Sequence, residues 1–145
     1  MAEVMVDSNV LLDVLTEDEE WFAWSSKALA EHAESHTLVI NPIVYAEVSI
    51  GFERIEDLEA ALPEAAFQRR RIPPEAAFLA GKCFARYRRR GGGRPSVLPD
   101  FFVGAHAAVE GMSLITRDAS RYRTYFPRLN VIAPDRPPRR GRRKP

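Results

Sequence analysis

Met1-Ala2-Glu3-Val4-Met5-Val6-Asp7-Ser8-Asn9-Val10-Leu11-Leu12-Asp13 opens the chain, and its reading decides the fold. A short apolar run over residues 3–6 predicts a buried strand, and the run stops at a carboxylate, Asp7. Ser8 and Asn9 follow as natural cap residues for a helix over Asn9–Leu15 that turns Val10, Leu11, Val14 and Leu15 to the core. Asp7 thus sits where strand becomes helix. In open α/β folds, ligands bind outside the carboxyl ends of the strands.

The same alternation continues. Thr37–Asn41 predicts a second buried strand, and Pro42 suits the first turn of a helix through Ile50. Met112–Thr116 and Leu129–Ile132 predict two more strands, the first ending at Arg117-Asp118 before a helix over Ala119–Tyr125. Between them lie a helix opened by the acidic run Thr16–Glu20 and reaching Ser35, and a short helix over Arg54–Leu62. A longer helix over Pro74–Arg90 is expected to bury Ala77, Phe78, Ala80, Gly81, Phe84 and Ala85, and a small-residue helix follows Asp100. Phe67–Ile72 reads as a loop or edge segment, and Trp21 and Trp24 share a helix face suited to core or dimer contact. Strands alternating with helices predict a three-layer α/β/α domain around a mostly parallel sheet.

At 145 residues the chain suits one domain, expected over 1–134, with a basic Pro/Arg-rich tail over 135–145 expected to be flexible. Cys83 is the single cysteine, so no intrachain disulfide exists, and it reads as a buried small hydrophobe. No signal peptide and no apolar run near 18 residues is seen, which makes the cytoplasm the expected location and gives no reason for a membrane partner. Net charge is +1 but uneven. Six basic side chains fall in residues 136–145; the rest of the chain has 15 basic against 20 acidic residues, a net of −5. Arg86, Arg88, Arg89, Arg90 and Arg94 cluster around Gly91-Gly92-Gly93, either as a helix-dipole complement or as an RNA contact. The glycines lack the Gly-Lys-Ser/Thr of a phosphate loop.

Four acids carry the chemistry. Asp7 and Asp118 each follow an apolar strand, so in one parallel sheet both emerge at the same edge. Asp100 opens a helix, and Glu47 lies among apolar neighbours in another. Taken alone, Asp118 reads as an N-cap and Asp100 as a first-turn residue. Together they form an all-oxygen set that like-charge repulsion would force apart without a cation, which suits Mg²⁺ or Mn²⁺ better than zinc.

Val6–Leu11, Asn41–Glu47, Leu98–Ala107 and Leu114–Asp118, in this order and spacing, resemble the PIN domain, and most closely the VapC-type toxin ribonucleases of type II toxin–antitoxin pairs. The resemblance implies a metal-dependent endoribonuclease. Asp7 and Asp100 would be the main metal ligands, Glu47 and Asp118 would complete the catalytic set, and Asn9 and Thr116 would orient carboxylates. It also implies a homodimer, an RNA substrate and a cognate VapB-type antitoxin. The basic tail is a departure that the motif does not require.

Rivals fare worse. His32 and His36 share a helix but His106 is remote, and His32-Ala33-Glu34-Ser35-His36 fails the zinc-protease spacing. A phosphoaspartyl phosphatase would want an acid where Asn9 stands, and a receiver module would want a late lysine. The non-enzyme alternative is a catalytically silent PIN-like module that binds RNA or protein.

Overall fold

The computed structural model describes residues 2–135. The tail reading over Arg136–Pro145 therefore falls outside the described residues. Five strands form one all-parallel sheet in the order β3-β2-β1-β4-β5. They are β1 (Glu3–Val6), β2 (Thr37–Ile40), β3 (Gln68–Arg69), β4 (Ser113–Ile115) and β5 (Val131–Ile132). The helices are α1 (Ser8–Leu15), α2 (Phe22–Ala33), α3 (Pro42–Ser49), α4 (Ile55–Ala61), α5 (Pro74–Arg89), α6 (Leu98–Val109) and α7 (Ser120–Tyr125). The alternation read from the sequence gives this α/β architecture, and Phe67–Ile72 supplies an edge strand.

Strand order reverses at β1: β2 and β3 extend the sheet one way, β4 and β5 the other. With right-handed crossovers, helices after β1 and β2 cover one face, and those after β3 and β4 the other. The switch point lies between β1 and β4, whose register pairs Val6 with Ile115. Buried on both faces, the central strands are continuously apolar: Val4, Met5, Val6, Val39, Ile40, Leu114 and Ile115 are all buried.

Local signals were partly misread. Thr16–Glu20 does not open α2, which starts only at Phe22; Asp18 instead accepts from the backbone of Trp21 at 2.8 Å, closing a turn. Trp21 is buried within the chain and Trp24 is partly buried against the core, so Trp21 is a core residue and not an exposed dimer contact. In α5 the buried face is Ala76, Ala80 and Cys83, with Leu79, Phe84 and Tyr87 beside it. Ala77, Phe78 and Gly81 face outward, because the apolar residues spread over too wide an arc to fix the helix rotation. Lys82 covers the exposed Phe78 ring, its ammonium 5.0 Å from the centroid.

α6 is packed closest. A Cβ on Gly104 would lie 2.4 Å from Phe126 Cε2 and 3.0 Å from Tyr122 Cδ1. Gly104→Ala is therefore expected to lower unfolding free energy by about 1–3 kcal/mol, read from denaturant midpoints. An unchanged midpoint would show that the Phe126 ring yields freely.

Candidate active site at the β1–β4 switch point

Asp7, the first residue beyond β1, is 4% exposed, with its backbone N–H donated to the Ile115 carbonyl at 2.9 Å. It occupies the N-cap position of α1 itself, so Ser8 and Asn9 lie inside the helix and do not cap it. One oxygen, Oδ1, accepts from Ser8 N–H at 2.8 Å. The other, Oδ2, accepts from Thr116 Oγ1 at 2.9 Å and from Tyr122 Oη at 2.8 Å. Burial is the largest influence on this carboxyl and raises its pKa; the three hydrogen bonds oppose that rise, and Asp118 adds repulsion.

Asn9 and Thr116 are hydrogen-bonded to each other beside Asp7. Thr116 Oγ1 accepts from Asn9 Nδ2 and from the Asp118 backbone N–H, both at 3.2 Å. With both lone pairs engaged, its one proton goes to Asp7. Asn9 Oδ1 in turn accepts from Arg117 N–H at 3.3 Å. This network ties the start of α1 to the loop after β4.

The remaining acids approach from three elements. Glu47, half-buried on α3, accepts a 2.8 Å hydrogen bond from Ser8 Oγ. Its pKa is raised, first by burial and then by repulsion from Asp7. Asp100, in the first turn of α6, is pushed up to about 7, first by burial, with repulsion from Asp7 and Glu47 adding to it and Arg121 opposing. Arg121 Nη1 lies 2.7 Å from Asp100 Oδ2. Asp118 does not cap α7, whose N-cap is Ala119; its Oδ1 accepts from Ser120 Oγ at 3.3 Å. Asp7 is thus the hub whose charge is felt by Glu47 and Asp100 and which feels that of Asp118.

Among the described residues, no group of three or more Asp, Glu, His or Cys side chains is disposed to hold a metal ion. The donor chemistry still fits a hard divalent ion: the donors are all oxygen, and burial first, with mutual repulsion adding, raises the pKa values of Asp7, Glu47 and Asp100.

Sequence reading missed Tyr122, Arg121, Asp13 and Arg117. Tyr122 is buried, and its pKa is raised well above the ordinary range by burial and by Asp7, so it stays a phenol that donates. Its signal was position: Arg121 and Tyr122 fall three and four residues after Asp118, in the first turn of α7. Asp13 is 2% exposed and pairs with Arg117 at 3.0 Å while accepting from Ser25 Oγ at 2.7 Å. That pair anchors the β4–α7 loop to α1 and α2.

The arginines at the end of α5 are all exposed. Arg86 and Arg90 each stand 5.5 Å from the Tyr125 ring centroid, and Tyr125 packs edge-on against Phe101 at 4.9 Å. Arg88 lies over Phe84, Arg94 donates its backbone N–H to Tyr87 Oη, and Arg89 shares the same last turn. Through Tyr125 and Phe84 this basic surface packs against Phe101 of α6, the helix whose first turn carries Asp100. His36 precedes β2, at the opposite edge of the sheet, and His106 is fully buried beside Asn41, 3.2 Å away. No histidine pair faces the acids. No helix among the described residues is long and apolar enough to cross a membrane.

Solved structures share this fold. VapBC2 from Rickettsia felis, bound to a DNA fragment from their promoter, matches with a TM-score of 0.68 at 18% identity, covering 90% of this chain and 98% of that one. VapBC-1 from nontypeable Haemophilus influenzae gives 0.68 at 18% identity, covering 90% and 97%. A toxin–antitoxin complex from Klebsiella pneumoniae gives 0.61 at 21% identity, covering 90% and 96%. No curated protein matches the sequence. The family model of the PIN domain matches residues 4–127, a span that takes in Asp7, Glu47, Asp100 and Asp118. With that match over most of its length and the acids gathered at the switch point, this chain belongs to the PIN domain family.

Proposed function

We propose that this chain is a Mg²⁺- or Mn²⁺-dependent endoribonuclease, the toxin of a type II toxin–antitoxin pair. The observation that carries the reading is Asp7, pinned by three hydrogen bonds at the switch point with Glu47, Asp100 and Asp118 around it. Asp7 and Asp100 would hold the ion, with Glu47 and Asp118 completing the set. When bound, the ion supplies Lewis acidity toward phosphate and an acidified water. The chain's own contribution is placement. Thr116, Tyr122 and Ser8 hold Asp7 in one rotamer and favour its ionised form against the effect of burial, and Asn9 holds Thr116. Arg86, Arg88, Arg89, Arg90 and Arg94, exposed at the end of α5, would attract the phosphates of a bound RNA.

The likeness to toxin–antitoxin complexes supports a VapB-type antitoxin as partner; a homodimer as the working assembly and the cytoplasm as the site of action belong to the same proposal through the family resemblance. A basic antitoxin segment would suit the acidic crevice. The test is incubation of the purified chain with single-stranded RNA. Cleavage in Mg²⁺ or Mn²⁺, lost in excess EDTA and leaving 5′-phosphate and 3′-hydroxyl ends, is expected. Equal cutting in EDTA would overturn the metal dependence. RNA bound with metal but never cut would mark the chain as a silent binding module.

A further inference from the structure

α7 presents consecutive side chains to consecutive partners: Arg121 to Asp100 and Tyr122 to Asp7. The two contacts differ in kind. Tyr122 is buried and its phenol has one role, donation to Asp7. Arg121 is half-buried, with 28% of its side chain exposed, and among the described residues its guanidinium makes a single hydrogen bond, through Nη1. A guanidinium carries five N–H donors in a planar fork that matches carboxylate and phosphate oxygens equally well.

Resting on the metal-dependent reading above, we propose that Arg121 is a two-position residue. Without a divalent ion its guanidinium supplies the positive charge that Asp100 needs, occupying the carboxylate that would bind metal. When a divalent ion takes Asp100, Arg121 is released toward the crevice and binds a nonbridging oxygen of the substrate phosphate. Three observations support this. The pair sits at the acid cluster and not on a remote face. Arg121 Nη1 already holds Asp100 Oδ2 at 2.7 Å, so the guanidinium and a divalent ion would compete for the same carboxylate. Among the described residues the rest of the guanidinium is unengaged, and it is partly open to solvent, so rotation breaks one hydrogen bond there. Arg121 is therefore a competitor of the metal first and a ligand of the phosphate second.

The prediction is opposite to that for a structural residue. Arg121→Gln removes both the occupant of Asp100 and a like charge beside the ion. At about pH 8.5, where carboxyls are ionised, Mn²⁺ affinity measured by calorimetry should rise about fivefold, at the low end of site coupling. Arg121→Lys keeps the charge and should stay near wild type. A nucleoside 5′-monophosphate, which presents a phosphate but no phosphodiester to cut, reads the second position. With Mn²⁺ present, Arg121→Gln should bind it about fivefold more weakly; in EDTA the two proteins should bind it equally. Circular dichroism and melting confirm folding of both variants. Mn²⁺ affinity unchanged or weakened in folded Arg121→Gln, while wild type binds Mn²⁺, overturns the two-position role and leaves the nuclease reading standing. Failure of wild type itself to bind Mn²⁺ overturns both.

Discussion

Asp7→Asn is expected to abolish RNA cleavage while leaving the fold in place. Asparagine keeps the shape but offers a neutral carbonyl and an NH₂ in place of two anionic oxygens. Thr116 and Tyr122 both donate to Oδ2 and Ser8 N–H donates to Oδ1, so the new NH₂ must face either the Ser8 N–H or both hydroxyls. The Ser8 N–H cannot reverse its role, whereas a hydroxyl can rotate and accept. A lost hydrogen bond of this kind costs about 1 kcal/mol. Against it stands relief of a buried charge, since burial is the dominant influence on Asp7 and disfavours its ionised form. The two terms oppose, so melting temperature should move by only a few degrees or less. Activity has no such compensation. Losing a partner that only orients a metal ligand costs roughly 10–100-fold; losing the central ligand itself should cost about 10³-fold or more. Single-turnover cleavage in Mn²⁺, with melting curves recorded alongside, separates the two effects. A folded Asp7→Asn protein that cuts within tenfold of wild type would remove Asp7 from the site.

The parts of this site that were legible in the sequence are those set by strand ends. An apolar run that stops at a carboxylate locates Asp7 and Asp118 because parallel strands deliver their carboxyl ends to one edge, and the β1–β4 pairing does this. Thr116 and Asn9 were readable for the same reason, being adjacent to those ends. Glu47 was recognisable as an acid among apolar neighbours, although Ser8, its hydrogen-bond donor, reads from the sequence only as a helix cap. Side chains that reach the site from a helix face were harder. Arg121 and Tyr122 depend on how α7 is rotated against α6, and that rotation is fixed by close packing around Gly104, which no periodicity reveals. The same blindness put Phe78 inside α5 when it lies outside. Buried Asp13 escaped notice because its partner, Arg117, lies 104 positions on, and long-range ion pairs leave no local trace. Helix α2 began later than expected because Asp18 satisfies backbone donors in a turn before the helix, a choice the acidic composition alone did not dictate.

Asp100→Asn should likewise silence cleavage, yet it should make the metal-free protein more stable at neutral and alkaline pH. Asp100 sits at about 7 in the fold against an ordinary 3.8, so the folded state binds this proton more tightly than the unfolded chain does. The resulting contribution to stability is full below about pH 3.8 and is lost as pH rises through about 7. Asp7 and Glu47, also raised, act with the same sign. At face value the shift at Asp100 is worth about 4 kcal/mol. Its side chain is 31% exposed, and solvent screening reduces the expected contribution to about 2 kcal/mol. Asparagine mimics the protonated acid, so in EDTA the variant should match wild type near pH 4 and exceed it at pH 8, by about 5 °C in melting temperature. Adding Mn²⁺ should reverse the order at pH 8. An ion that binds only the folded state at a hundredfold over its Kd adds about 2.7 kcal/mol, and the variant, lacking a principal ligand, gains little of it. Melting curves of both proteins at the two pH values, with and without Mn²⁺, read all four states. A variant no more stable than wild type at pH 8 in EDTA would place Asp100 in ordinary solvent, outside the field of Asp7 and Glu47. Reversal by Mn²⁺ would show that the charge destabilising the empty crevice is the charge that recruits the ion.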